Sequence, residues 1–178
     1  LRRQRQMCIR DRSDFDRKGQ ADNVFDGGIG YGSTWAHSDL SNTHLAMEAL
    51  YYAKKTYPSS EGGELELDWD AAIHFVSKCQ NLPKTNKEKW VSSHEEDKGG
   101  FVYFPGSSMA GEREASDGSK SLRSYGSMSY AGLLSFIYAE MDQSDPRMKS
   151  VMDWLNENYS IEENPGTVSY THLRAHET

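Results

Sequence analysis

Cysteine is scarce, with two in 178 residues, Cys8 and Cys79. A disulfide framework of the kind that holds small secreted domains together is thereby excluded, and the fold has to rest on a packed core, for which this length suffices. Proline is nearly as rare, at five residues, and Pro58, Pro83 and Pro146 read as punctuation between helices. No apolar run approaches the roughly 18 residues of a membrane-spanning helix, because charge or serine interrupts each stretch. Basic charge is in deficit, 20 Lys and Arg against 27 Asp and Glu, for a net charge of −7. Phosphate-rich surfaces are held by concentrated Lys and Arg, so neither nucleic acid nor an anionic membrane is expected as a partner. The composition is otherwise that of a globular chain, with 36% hydrophobic and 26% charged residues, well away from the disordered range.

The two ends do not share the pattern of the middle. Residues 1–12 carry five Arg without periodicity, and residues 168–178 follow a Pro-Gly turn without any hydrophobic pattern. Both strings resemble translated sequencing-adapter read-through and are read as non-native tails, leaving 13–167 as the folding part. Without them 14 basic residues face 25 acidic ones, and the net charge is −11. Cys8 leaves with the first tail. Cys79 then stands alone in an apolar helical setting, where a thiol is a core residue rather than a nucleophile. A secretory leader, if the gene encodes one, would lie upstream.

What is present is a repeat. Asp26-Gly27-Gly28-Ile29-Gly30-Tyr31 is answered by Asp97-Lys98-Gly99-Gly100-Phe101-Val102-Tyr103. The segment running from Ser41 through Leu45, Ala46 and Ala49 to Leu50 is answered by one running from Ser127 through Ala131, Gly132 and Ser135 to Phe136. A further helix follows each, with Ile73, Phe75, Val76 and Cys79 set against Met152, Trp154, Leu155 and Asn158. The units span about 26–82 and 97–160. Ser41, Asn42 or Thr43 supplies an N-cap for the first helix, Asp68 opens the second, and Asp145-Pro146 opens the last. Residues 125–139 are nearly uncharged and are expected to be buried on every side. The later helix of each unit carries charge and is expected to lie outside. Two stretches lack periodicity, 84–97 and 105–124, and read as connections.

Residues 26–160 resemble the prenyltransferase and squalene-oxidase type repeat of squalene-hopene cyclases and protein prenyltransferase beta subunits. The resemblance rests on Gln80 after Cys79, on the Gly99-Gly100-Phe101 turn, and on their recurrence with the intervening helices. It implies an all-α fold, a segment of an alpha/alpha toroid whose ring needs further repeats of the same chain to close. It also implies a cavity for an isoprenoid, another lipid or a glycan, with the glutamine amide serving the glycine turn. In the cyclases an acidic motif opens an inner helix and protonates the substrate. Here the matching stretch is Asp39-Leu40-Ser41-Asn42-Thr43-His44, so that Ser41 stands at the proton donor and Asn42 at its acidic neighbour. A serine hydroxyl is far too weak an acid to protonate an alkene.

Asp39 and His44 are the candidate catalytic groups that remain. The ligand-binding candidates are Tyr31, Trp35, His37, Asp39, Asn42, Tyr103, Arg123, Tyr125 and Tyr130, each in or just before an inner-type helix. Asp39 and Arg123 stand out among them, since a charge beside an apolar helix costs desolvation unless it is paired or used; pairing with each other is the alternative to a ligand-binding role. No metal and no cofactor is expected: His37 and His44 lack a spaced third ligand, and Cys79 sits on an outer-type helix. Asp68 and Asp70 read as helix capping. Gly27 to Gly32 lacks the Lys-Ser or Lys-Thr of a phosphate loop, and Ser33, Ser41 and Ser127 lack a base.

Overall fold

A computed structural model describes residues 23–31, 37–56, 68–114 and 118–167. The tails, Ser33 and Trp35 lie outside the described residues. Helix α1 is Leu40–Thr56, α2 Trp69–Lys78, α3 Gly126–Tyr138 and α4 Pro146–Glu157, with β1 Glu112–Glu114 and β2 Lys120–Leu122 between α2 and α3.

The expectation of an all-α toroid segment is therefore corrected: the architecture is mixed, four helices and a two-stranded antiparallel sheet among the described residues. Glu112 pairs with Leu122, Arg113 with Ser121 and Glu114 with Lys120. This hairpin escapes a periodicity search because it buries almost nothing. Leu122 alone reaches the core, and the remaining support is backbone pairing, a Lys120–Glu112 ion pair at 3.0 Å, and the Arg113 guanidinium, which pairs with the buried Asp97 at 3.1 Å and with Glu96.

The helices start where their chemistry dictates. The Asp68 carboxylate accepts the Ala71 amide at 3.0 Å, and that of Asp145 accepts the Arg147 amide at 2.9 Å, with Pro146 at the first helical position. At α1 the cap is Asp39, whose Oδ1 accepts the Asn42 amide at 2.9 Å. The assignment to Ser41, Asn42 or Thr43 came one turn late.

Each helix pair hangs from a glycine turn through the same hydrogen bonds. In the first, the Ile29 amide donates to Thr43 Oγ1 (2.9 Å), the Asp39 amide to the Ile29 carbonyl (3.1 Å), and Thr43 Oγ1 to the Asp39 carbonyl (2.7 Å). In the second, the Phe101 amide donates to Ser129 Oγ (3.0 Å), the Tyr125 amide to the Phe101 carbonyl (3.2 Å), and Ser129 Oγ to the Tyr125 carbonyl (2.9 Å). Ser38 Oγ donates to the Phe25 carbonyl just as Ser124 Oγ donates to that of Asp97. Asp97 thus corresponds to Phe25, and the acids before the glycines are not equivalent. Gly27 and Gly99 hold φ of +80° and +97°, and a Cβ at either would lie 2.0 Å from the Ala71 carbonyl oxygen or 2.2 Å from that of Ser150, so both the backbone conformation and the close approach require glycine.

The core runs through Met47, Phe75, Val76, Cys79, Phe101, Phe136, Val151 and Trp154. Phe101 meets Phe136 edge-on at 5.7 Å and lies against Gly132, where a Cβ would come within 2.6 Å of its ring. Gln80 is buried and its Nε2 donates to the Gly99 and Arg147 carbonyls at 3.0 and 2.9 Å, tying α2 to the second turn and to α4. The connection 84–97 is pinned rather than loose. Asn81 Nδ2 donates to the Leu122 carbonyl and to Ser124 Oγ, the Ser92 amide donates to Asn81 Oδ1, and Trp154 Nε1 donates to the Glu96 carbonyl. These bonds satisfy buried polar atoms that would otherwise cost several kcal/mol each, on the order of 1–3. Helix α3 also departs from expectation: Ser129, Gly132, Ser135 and Phe136 are buried, yet Tyr130, Leu134 and Ile137 are exposed.

Candidate functional site

The glycine turns bring the N-terminal ends of α1 and α3 side by side, and with them five of the candidate residues. Asp39 is fully buried. Its Oδ1 takes the Asn42 amide at 2.9 Å and its Oδ2 takes Asn42 Nδ2 at 2.7 Å, and the Tyr103 side chain hydrogen-bonds to the same carboxylate. The Leu40 amide donates to the Tyr103 carbonyl at 2.9 Å, which seats Tyr103 over the start of α1. The Tyr103 phenol is pushed up to about 12, first by burial, then by the Asp39 charge and by hydrogen bonding to Tyr31. Tyr125 precedes α3 and is buried; its phenol is also pushed up, chiefly by burial, with the negative fields of Tyr103, Cys79 and Asp39 adding to it. Tyr31 is 68% exposed and forms the outer edge of this group.

The other candidates lie apart. His37 stacks on Phe104 at 4.2 Å and 23°, beside Phe25, and belongs to the packing over the first turn. His44 stacks on Tyr138 at 5.9 Å, and burial lowers its pKa while Glu48 opposes the shift. Arg123 follows β2, where its amide donates to the Gly111 carbonyl and its own carbonyl accepts Ser108 Oγ at 2.6 Å. Asp39 and Arg123 do not pair: Asp39 bonds to Asn42 at the start of α1, and the Arg123 Nε is buried without a hydrogen-bond partner. Tyr130 sits on α3 away from the turns and lines a groove of about 410 Å³ between α3 and α4. Trp35 lies outside the described residues.

This arrangement favours holding over proton transfer. A tyrosine at pKa about 12 is a hydrogen-bond donor at neutral pH, and the Asp39 carboxylate is used as the cap of α1. Cys79 is buried, and burial together with the Asp39 charge pushes its thiol well above the usual range, so no thiolate is available. Among the described residues no cluster of three His, Cys, Asp or Glu suits a metal ion, and no helix is long and apolar enough to cross a membrane.

Sequence reasoning missed Tyr138 and the α3/α4 groove. The available signal was the unbroken apolar face of α3, which was read as wholly buried. Comparison with protein-family models, with curated proteins and with solved structures returns no match.

Proposed function

We propose that this chain is a binding module built from repeats of the terpene cyclase and prenyltransferase kind, and that Tyr31, Tyr103 and Asn42 form its ligand edge, with Asp39 buried behind them. The observation that carries the reading is that Asp39 is buried and serves as the cap of α1, accepting both the backbone and the side-chain amide of Asn42, with the Tyr103 hydroxyl beside it. An isoprenoid cyclase needs a strong acid held undersolvated at this place, and Ser41 cannot supply one. Tyr31 and Tyr103 instead present ring faces with hydroxyl donors beside a negative charge, a combination that suits a hydroxyl-rich ligand such as a glycan.

The test is isothermal titration of a soluble oligosaccharide panel, cellohexaose and maltohexaose first, run beside incubation with squalene and farnesyl diphosphate followed by product analysis. Saccharide binding that falls by about tenfold in Tyr31→Ala, a loss of ~1.4 kcal/mol, supports the reading when Ser41→Ala leaves it unchanged. Conversion of either isoprenoid by the chain would overturn it.

A further inference from the structure

We propose that the chain associates head to tail with a second copy of itself, the α3/α4 end of one protomer receiving the α1 end of the next.

Inside the chain, the second helix pair already docks on the first. Tyr138 of α3 stacks on His44, approaches Tyr51 at 5.2 Å, and its hydroxyl donates to Glu48 at 3.0 Å. The equivalence of Thr43 with Ser129 sets the register between α1 and α3. It makes His44, Glu48 and Tyr51 the counterparts of Tyr130, Leu134 and Ile137. Those three are 40%, 38% and 46% exposed. The receiving surface of α1 therefore recurs on α3, more apolar and uncovered.

The donating surface recurs as well. Ala131, Ser135 and Tyr138 follow one face of α3 at helical spacing, and the first two are buried. Their counterparts on α1 are Leu45, Ala49 and Tyr52, where Leu45 and Tyr52 are more than half exposed. Tyr52 occupies the position of Tyr138, the residue that makes the intrachain contact.

The outer helices agree with this pattern. On α2, Ser77 Oγ accepts Arg147 Nη1 at 3.0 Å, and Gln80 donates to Gly99 and Arg147 of the following pair. The corresponding residues at the end of the second pair are Asn156 of α4 and Tyr159 just beyond it. With Tyr130, Leu133, Met152 and Leu155 they line the groove of about 410 Å³. One chain thus carries both halves of an interface whose closed form it displays internally. The two halves differ from one another, so the contact is heterologous and has no two-fold axis.

Sedimentation equilibrium of the full chain at about 5–500 μM tests this, a range that brackets a micromolar interface. The weight-average mass should rise above the 20.1 kDa of one chain as concentration increases. Leu134→Lys/Ile137→Lys blocks the receiving end and Leu45→Lys/Ala49→Lys the donating end. All four are surface positions, and circular dichroism checks that the helices persist. Each variant alone should be monomeric, and an equimolar mixture should form a one-to-one dimer and nothing larger, because each keeps the half its partner lacks. Leu134→Ser/Ile137→Ser provides a milder block should the lysine pair lose helicity. A wild-type mass that stays at 20.1 kDa throughout, a variant that dimerises by itself, or a mixture that gives no complex would each overturn the proposal.

Discussion

Tyr138 on α3 donates its phenolic hydrogen to Glu48 on α1 at 3.0 Å, and this bond joins the two helices that descend from the two glycine turns. Both side chains are partly exposed, so the bond is modest in energy. Tyr138→Phe should lower stability by about 1 kcal/mol, and Glu48→Gln by less, since an amide oxygen still accepts. Urea denaturation of the two single variants and the double variant measures the coupling. A double variant whose loss equals the sum of the single losses would show that the pair does not interact.

The glycine turns make a second prediction, and they come with an internal control. Gly27 and Gly99 combine positive φ with a backbone carbonyl oxygen 2.0 or 2.2 Å from any added Cβ, whereas Gly106 has φ of +91° and open space around it. Gly106→Ala should cost only the left-handed conformational term, about 1 kcal/mol. Gly27→Ala or Gly99→Ala has to move a helix as well and should cost about 3 kcal/mol or more. Thermal unfolding midpoints rank the three, and equal losses would mean that helix packing against the turns adds nothing.

Alkaline pH should destabilise the fold through its tyrosines. Tyr103 and Tyr138 both titrate at about 12 in the folded chain, burial being the first cause in each, against an ordinary value of 10.0. The folded state therefore keeps protons that the unfolded chain releases. Their contribution is fully present below pH 10 and is lost as pH rises toward 12. Phenolate absorbance followed with pH should show these two tyrosines titrating late, and Tyr103→Phe should remove one late step and flatten the fall in stability. A single transition of all tyrosines near 10 while the helices remain folded would contradict this.

Helix starts were legible wherever a short polar side chain stood directly before an apolar period. Asp68 and Asp145-Pro146 are of this kind, since capping is chemistry between residues two or three apart. The burial of Cys79 followed from its place on the α2 stripe. The cap of α1 was misplaced because Asp39, Ser41, Asn42 and Thr43 are all competent, and the choice among them falls to the Ile29–Asp39 backbone bridge. Local pattern does not encode a bridge between strands of sequence ten residues apart. The β1–β2 hairpin was illegible for a related reason, as its residues alternate charge with charge and only Leu122 enters the core.

By itself, then, the sequence determined the helices, the caps of α2 and α4 and the glycine turns, all of which are set by conformational preference and by hydrogen bonds over a few residues. Tertiary structure decided the rest. That Asp39 and Arg123 would stay apart, that Gln80 would reach Arg147, and which face of α3 would stay exposed all depend on distances between residues far apart in the chain. Such partners are selected by packing, because a buried polar group bonds to whatever donor the fold brings within reach, and an apolar face is covered only where another element docks.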